Sequence, residues 1–199
     1  REFLVENLMT EDNISLTYSH YDRLIIGGTK PVKQATELKT HEELKADYFL
    51  QRRELGIINV GGKAIVTADG EKFELDYKEA LYIGKGTKEV SFESVDAAQP
   101  TKLYINSAPA HHAYPTKKVS KADAEIVELG TPETANHRTI NKLLVNSVLP
   151  TCQLQMGMTE LKSGSVWNTM PAHTHDRRME AYFYFEVPQG QSVCHFMGE

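Results

Sequence analysis

Apolar and polar positions along the first hundred residues fall into short blocks with strand periodicity. Gly56 to Leu75, GIINVGGKAIVTADGEKFEL, holds two β-rich runs joined at Asp69-Gly70. Asp-Gly predicts a two-residue hairpin, because both residues tolerate positive φ. Ala80 to Ile83, Glu89 to Phe92 and Thr101 to Asn106 predict further strands, the first two separated by Gly84-Lys85-Gly86. Strands this short, with turns this frequent, predict an all-β sandwich or barrel. Two segments carry helix signals: Thr36 to Tyr48 (TELKTHEELKADY), and Ser120 to Leu129 (SKADAEIVEL) with Ser120 as N-cap. The stretch 107–142, rich in Pro, Ala and charge, has the texture of a linker. Strand character returns over 143–199, including Tyr182 to Val187.

Composition narrows the classes. The 199 residues carry 22 Lys+Arg against 27 Asp+Glu, a formal charge of −5, and are 40% hydrophobic, as in ordinary globular proteins. A mildly acidic chain argues against electrostatic nucleic-acid binding. No apolar run approaches the roughly 20 residues of a membrane helix. Residues 1–6 lack a basic-then-apolar signal layout. The two cysteines, Cys152 and Cys194, form no Cys-x-x-Cys pattern, which points to a reducing cytosol and no disulfide framework. An opening Arg and an ending on Glu199 lead us to expect trimmed termini.

The chemistry concentrates in Trp167 to Phe185, WNTMPAHTHDRRMEAYFYF. Residues two apart share a face on a strand but not on a helix. His173-x-His175 is therefore a ligand pair only on extended chain, which Pro171 favours. Glu180 follows at an odd offset, so a bend near Asp176-Arg177-Arg178 must bring it to the same side. Two imidazoles and a carboxylate suit Zn, Fe, Mn, Ni or Co, and three protein ligands with an open position describe a catalytic site.

Gly164, His173-x-His175 and Glu180 together resemble the first motif of the cupins, β-barrels with a metal inside. In the first half, Glu54 and Gly61 keep the spacing of that motif. Asp47 and Phe49 stand where its histidines would fall, and Gly84-x-Gly86-x-x-Glu89 stands where the second motif would be. This pattern implies a bicupin whose N-terminal half, 1–106, has lost its metal. A linker at 107–142 would lead into a metal-binding half that begins at 143–199 and is incomplete.

Longer blocks narrow the resemblance. FLQRRELGIINVGG, LYIGKGTKEVSF, APAHHAYPTKKV, HRTINK, TCQLQMGMTEL and the His-x-His block are similar to the 5-keto-4-deoxyuronate isomerase family, ketol-isomerases of pectin and uronate breakdown. The resemblance implies one zinc per full-length chain, bound by His173, His175, Glu180 and a fourth ligand histidine beyond Glu199. It also implies a hexamer and a cytoplasmic enzyme that takes a small keto-uronate, with neither nucleic acid nor membrane as partner. The reaction would turn 5-dehydro-4-deoxy-D-glucuronate into 3-deoxy-D-glycero-2,5-hexodiulosonate by proton transfer next to a carbonyl, with charge developing on oxygen.

Arg52, Arg53, Arg138, Arg177, Arg178, Lys117 and Lys118 are candidates for the substrate carboxylate, since guanidinium offers a bidentate fork. Tyr182 and Tyr184 would share the face of Glu180, or else pack as ordinary barrel aromatics; no general base is identified. Cys152 and Cys194 are expected in strands, Trp167 in the core, Gly27-Gly28 and Gly61-Gly62 at turns or bulges, and His111-His112 in a loop. Gly84-Lys85-Gly86 lacks phosphate-loop spacing. An Fe(II) cupin oxygenase could share the same ligand set. A non-catalytic sugar-binding bicupin is the remaining alternative.

Overall fold

A computed structural model describes residues 3–198. It is built from thirteen strands: β1 (Ile14–Tyr18), β2 (Ile25–Thr29), β3 (Thr36–Glu37), β4 (Arg53–Asn59), β5 (Ala64–Ala68), β6 (Glu71–Leu75), β7 (Ala80–Ile83), β8 (Val90–Ser94), β9 (Leu103–Pro109), β10 (Lys117–Val119), β11 (Glu125–Leu129), β12 (Arg138–Leu144) and β13 (Met156–Leu161). All ladders between them are antiparallel.

The Asp69-Gly70 hairpin forms as expected. Asp69 (φ 45°) and Gly70 (φ 85°) are both left-handed, and β5 pairs β6 from Ala68–Glu71 outward. The two expected helices do not form. Within 36–48 the structure has β3 and a single 3-10 turn at Glu42–Leu44, closed by Lys45 in the left-handed region. In 120–129, Asp123 accepts from the Ser120 N–H and hydroxyl, making a turn rather than a cap, and Glu125–Leu129 pairs with β12. Both segments are short, and isolated helices of this length are marginal, so a ladder partner prevails. The stretch 107–142 thus contains β10, β11 and the start of β12, with β10 added to the first sheet beside β7.

Three sheets result: β1-β2-β9-β4-β7-β10, β3-β8-β5-β6 and β11-β12-β13. The six-stranded sheet is buried on both faces. On one side Leu55, Ile57, Leu81, Ile83 and Ile105 meet Val66, Leu75 and Phe92 of the four-stranded sheet. On the other, Ile58, Ala80, Tyr82 and Tyr104 meet Leu143, Leu144, Leu154, Met156 and Met158. This double burial explains why β4 and β7 show no alternation: every residue of RELGIIN and ALYI is buried. Gly56 lets the third sheet approach, because a Cβ there would lie 2.4 Å from Met156 Sδ. Gly27 and Gly28 are not turns. They lie inside β2, where a Cβ on Gly27 would come within 2.5 Å of Leu16 Cδ2.

The expected strand at 182–187 is absent. The segment nevertheless keeps strand periodicity: Met179, Ala181, Phe183 and Phe185 pack into the second core, while Tyr182 and Tyr184 are exposed. Phe183 stacks on Tyr104 with ring centroids 4.8 Å apart. Burying every other side chain fixes the segment without a ladder partner. Trp167 is half-exposed rather than core, and neither cysteine lies in a strand; both are free thiols.

Candidate functional site

The alternation in 179–186 sets the outward face of this segment. Glu180, Tyr182 and Tyr184 share that face, as the sequence pattern requires of extended chain. The Tyr182 hydroxyl donates to Glu180 Oε2 at 2.5 Å, and Tyr184 Oη lies 2.6 Å from His195 Nδ1. The far end is pinned by Glu186, which accepts from Tyr77 and pairs with Lys78 Nζ at 3.1 Å. The near end is held by Arg138. This arginine is buried, donates to the carbonyl of Met170 (3.1 Å), and so supports the chain just before the histidines.

The expected bend brings His175 and Glu180 together: His175 Nε2 lies 3.5 Å from Glu180 Oε1. Ligands at about 2.1 Å around a tetrahedral ion would be separated by about 3.4 Å, so this pair has the spacing a metal needs. His173 is the neighbouring ring, edge-on to His175 at 4.8 Å between centroids, with Nδ1 2.9 Å from the Pro171 carbonyl. If Nδ1 donates that bond, Nε2 is left as the ligating nitrogen. Among the described residues no three His, Cys, Asp or Glu side chains are gathered closely enough to hold an ion as they stand. Arg178 Nη1 sits 3.5 Å from both His175 Nε2 and Glu180 Oε1, so a cation already occupies the approach to this pair. Partial burial raises the Glu180 carboxyl, but the Tyr182 hydroxyl, Arg178 and His175 outweigh it and hold the group below the usual carboxylate range. Tyr182 is raised, by partial burial first and by its bond to Glu180.

Beside this group lies a cavity of about 440 Å³, lined by Arg177, Arg178, Glu180 and, from the N-terminal part, Phe3, Tyr21 and Asp22. Of the cations singled out in the sequence, Arg177 and Arg178 reach it. Lys118 is paired with Glu79 at 2.6 Å, and Arg52 donates to the carbonyls of Leu44 and Lys45. His111-His112 lie in a loop, as expected.

Sequence reasoning missed the role of Glu54. It is fully buried and points away from the interior of the first sandwich. There it accepts from Tyr82 Oη (2.8 Å) and from the backbone N–H of Cys152 (2.8 Å), Gln153 and Leu154 (2.7 Å each). One carboxylate thus ties the 152–154 loop, about 100 residues away in sequence, onto β4 and β7. A Glu next to the apolar run Leu55 to Ile58 was the available signal, since a buried charge requires partners.

Comparison with known proteins fits the blocks read in the sequence. Residues 3–198 match the family model described as the KduI/IolB family. This chain belongs to that family. It is 62% identical over 199 residues to the 4-deoxy-L-threo-5-hexosulose-uronate ketol-isomerase of Bacteroides fragilis, covering all of this chain and 71% of that protein. The protein of the same name from Formosa agariphila is also 62% identical, and that from Yersinia enterocolitica 52%, over 71% and 72% of their lengths. At this identity along the whole chain the enzyme class is shared, and the chain is an isomerase. Among solved structures, an IolB-like protein from Salmonella typhimurium superposes with a TM-score of 0.50 at 18% identity, over 64% of this chain and 47% of that one, a likeness of fold alone. The fold class is all-β, and no helix is long and apolar enough to cross a membrane among the described residues.

Proposed function

We propose that this chain carries a metal-dependent ketol-isomerase activity, converting 5-dehydro-4-deoxy-D-glucuronate to 3-deoxy-D-glycero-2,5-hexodiulosonate in uronate breakdown. The observation that supports it is the 3.5 Å spacing of His175 and Glu180, with His173 adjacent, on the edge of a cavity containing two arginines. His173, His175 and Glu180 would hold the metal, for which we favour zinc, one per full-length chain. In this reading a fourth ligand comes from beyond Glu199. The bound ion supplies Lewis acidity toward a substrate oxygen.

The chain's own groups do the rest. Arg177 or Arg178 takes the substrate carboxylate through its bidentate fork. For a metal to settle between His175 and Glu180, Arg178 must swing away from them, which frees it for the substrate. Tyr182 orients Glu180 through its hydroxyl and faces the same side. We further read the molecule as a bicupin, with a metal-free half at 1–106, a connecting region at 107–142 and the metal-bearing half starting at 143. We place the enzyme in the cytoplasm as a homo-oligomer, a hexamer by resemblance.

The test is to supply the keto-uronate to full-length protein and follow the product by NMR, with and without chelator. Conversion that stops with chelator and returns with Zn²⁺ supports the reading. No conversion, or conversion indifferent both to chelator and to His173→Ala, overturns it. Oxygen consumption during turnover would indicate an oxygenase instead.

A further inference from the structure

The mouth of the first sandwich holds a buried guanidinium without a counter-ion among the described residues. Arg53 opens β4 on the same face as Leu55 and Ile57, so its side chain enters the space between the two sheets. It is only 6% exposed. Its Nε donates to Ser107 Oγ (3.0 Å), and Nη2 donates to the carbonyls of Ser107 (2.7 Å) and Arg23 (2.6 Å). That uses three of the five N–H donors of a guanidinium. Nη1 has no hydrogen-bond partner among the described residues and is not sealed from the cavity beside it. That cavity measures about 420 Å³ and is lined by Tyr18, Arg23, Glu43, Phe49, Arg52 and Arg53, with Leu44, Ala46 and Pro109 completing the wall.

A buried charge ordinarily requires a partner, yet no carboxylate lies within ion-pair distance of Arg53, Arg52 or Arg23 among the described residues. Burial, the largest influence, lowers the Arg53 pKa to about 10, so it keeps its proton at neutral pH. Three arginines against one glutamate leave the wall positive. The volume falls within the roughly 300–1,000 Å³ of small-molecule sites. Phe49, Leu44 and Pro109 offer an apolar side, and Tyr18 a polar one.

We propose that this pocket in the first half of the chain is a second ligand site, which binds the carboxylate of a small sugar acid on Arg53 Nη1. The fixed hydrogen bonds through Nε and Nη2 pre-orient the guanidinium and leave one edge for the ligand. Glu43 on the wall disfavours a dianion, which selects a monocarboxylate over phosphate. The choice of a uronic acid as the ligand rests on the proposed function; the anion site itself does not.

The experiment is calorimetric titration of the full-length protein carrying Arg177→Ala and Arg178→Ala, so that binding at the other cavity is suppressed. The probes are D-galacturonate, neutral D-galactose and inorganic phosphate. Saturable galacturonate binding, absent for galactose, is expected to weaken about tenfold in Arg53→Lys, because an ammonium cannot hold Ser107, Arg23 and ligand at once. Glu43→Gln, at an exposed position, is expected to tighten it several-fold, which keeps the test open if Arg53→Lys does not fold. No saturable binding, or binding indifferent to Glu43→Gln and to any folded Arg53→Lys protein, overturns the site. Phosphate binding as tightly as galacturonate overturns the sugar-acid assignment. Absence of isomerase activity from full-length protein with Arg177 and Arg178 intact, alongside this binding, would count against the proposed function alone.

Discussion

At the residue scale the molecule depends on a few polar side chains with several partners each. Glu54 satisfies three backbone N–H groups and one phenol in a buried setting. Removing it leaves those donors without acceptors, and breaking such a buried charged network costs about 3–5 kcal/mol. Urea unfolding of Glu54→Ala should show a midpoint lowered accordingly, with Glu54→Gln recovering part of it because one amide oxygen still accepts. A near-native midpoint for Glu54→Ala would show that the loop at 152–154 is held by packing instead. In the sequence Glu54 was singled out only by its spacing to Gly61, which says nothing of what it holds. Its partners are about 100 residues away, and side-chain periodicity carries no information about them.

Elements in this chain are decided by turns and by partners. Asp69-Gly70 was legible because both residues must take positive φ, a local requirement. Gly70→Val places a β-branched side chain at φ 85° and should cost about 1–3 kcal/mol, read from thermal unfolding. A loop at 32–34 is ordered differently: the Asp12 carboxylate accepts from the N–H groups of Val32 (2.7 Å) and Lys33 (2.8 Å). Those backbone bonds hold its pKa below the ordinary value. A depressed folded pKa means that the stabilisation is present above the unfolded pKa of about 3.9 and fades as pH falls through the folded value. The amide shifts of Val32 and Lys33 should therefore titrate with a midpoint below that of an unfolded aspartate, and Asp12→Asn should abolish the titration. The helix expectations at 36–48 and 120–129 failed because local propensity is weak over so few residues, while β8 and β12 offered ladder partners.

For the whole molecule, the candidate site depends on how distant segments meet. Phe183 stacking on Tyr104, and Glu186 pairing with Lys78, place the outward face of 180–184 over the second core. If the proposed metal site is right, metal analysis of full-length protein should find about one divalent ion per chain, falling sharply in His175→Ala and in Glu180→Gln, since each removes one proposed ligand. Metal content unchanged in both variants would place the ion elsewhere.

By itself the sequence determined the all-β class, the hairpin, most of the strands of the first sheets, the family and the bend that brings His175 to Glu180. These follow from periodicity, turn chemistry and short-range spacing, which are local properties of the chain. Only the tertiary structure decided that the six-stranded sheet is covered on both faces. It also decided that Arg138 supports the site segment instead of lining the cavity, that Glu54 is an anchor, and that Arg53 is enclosed without a counter-charge among the described residues. Each of these depends on which remote group satisfies a buried polar atom. Desolvation makes that choice obligatory, and contacts far apart in sequence make it.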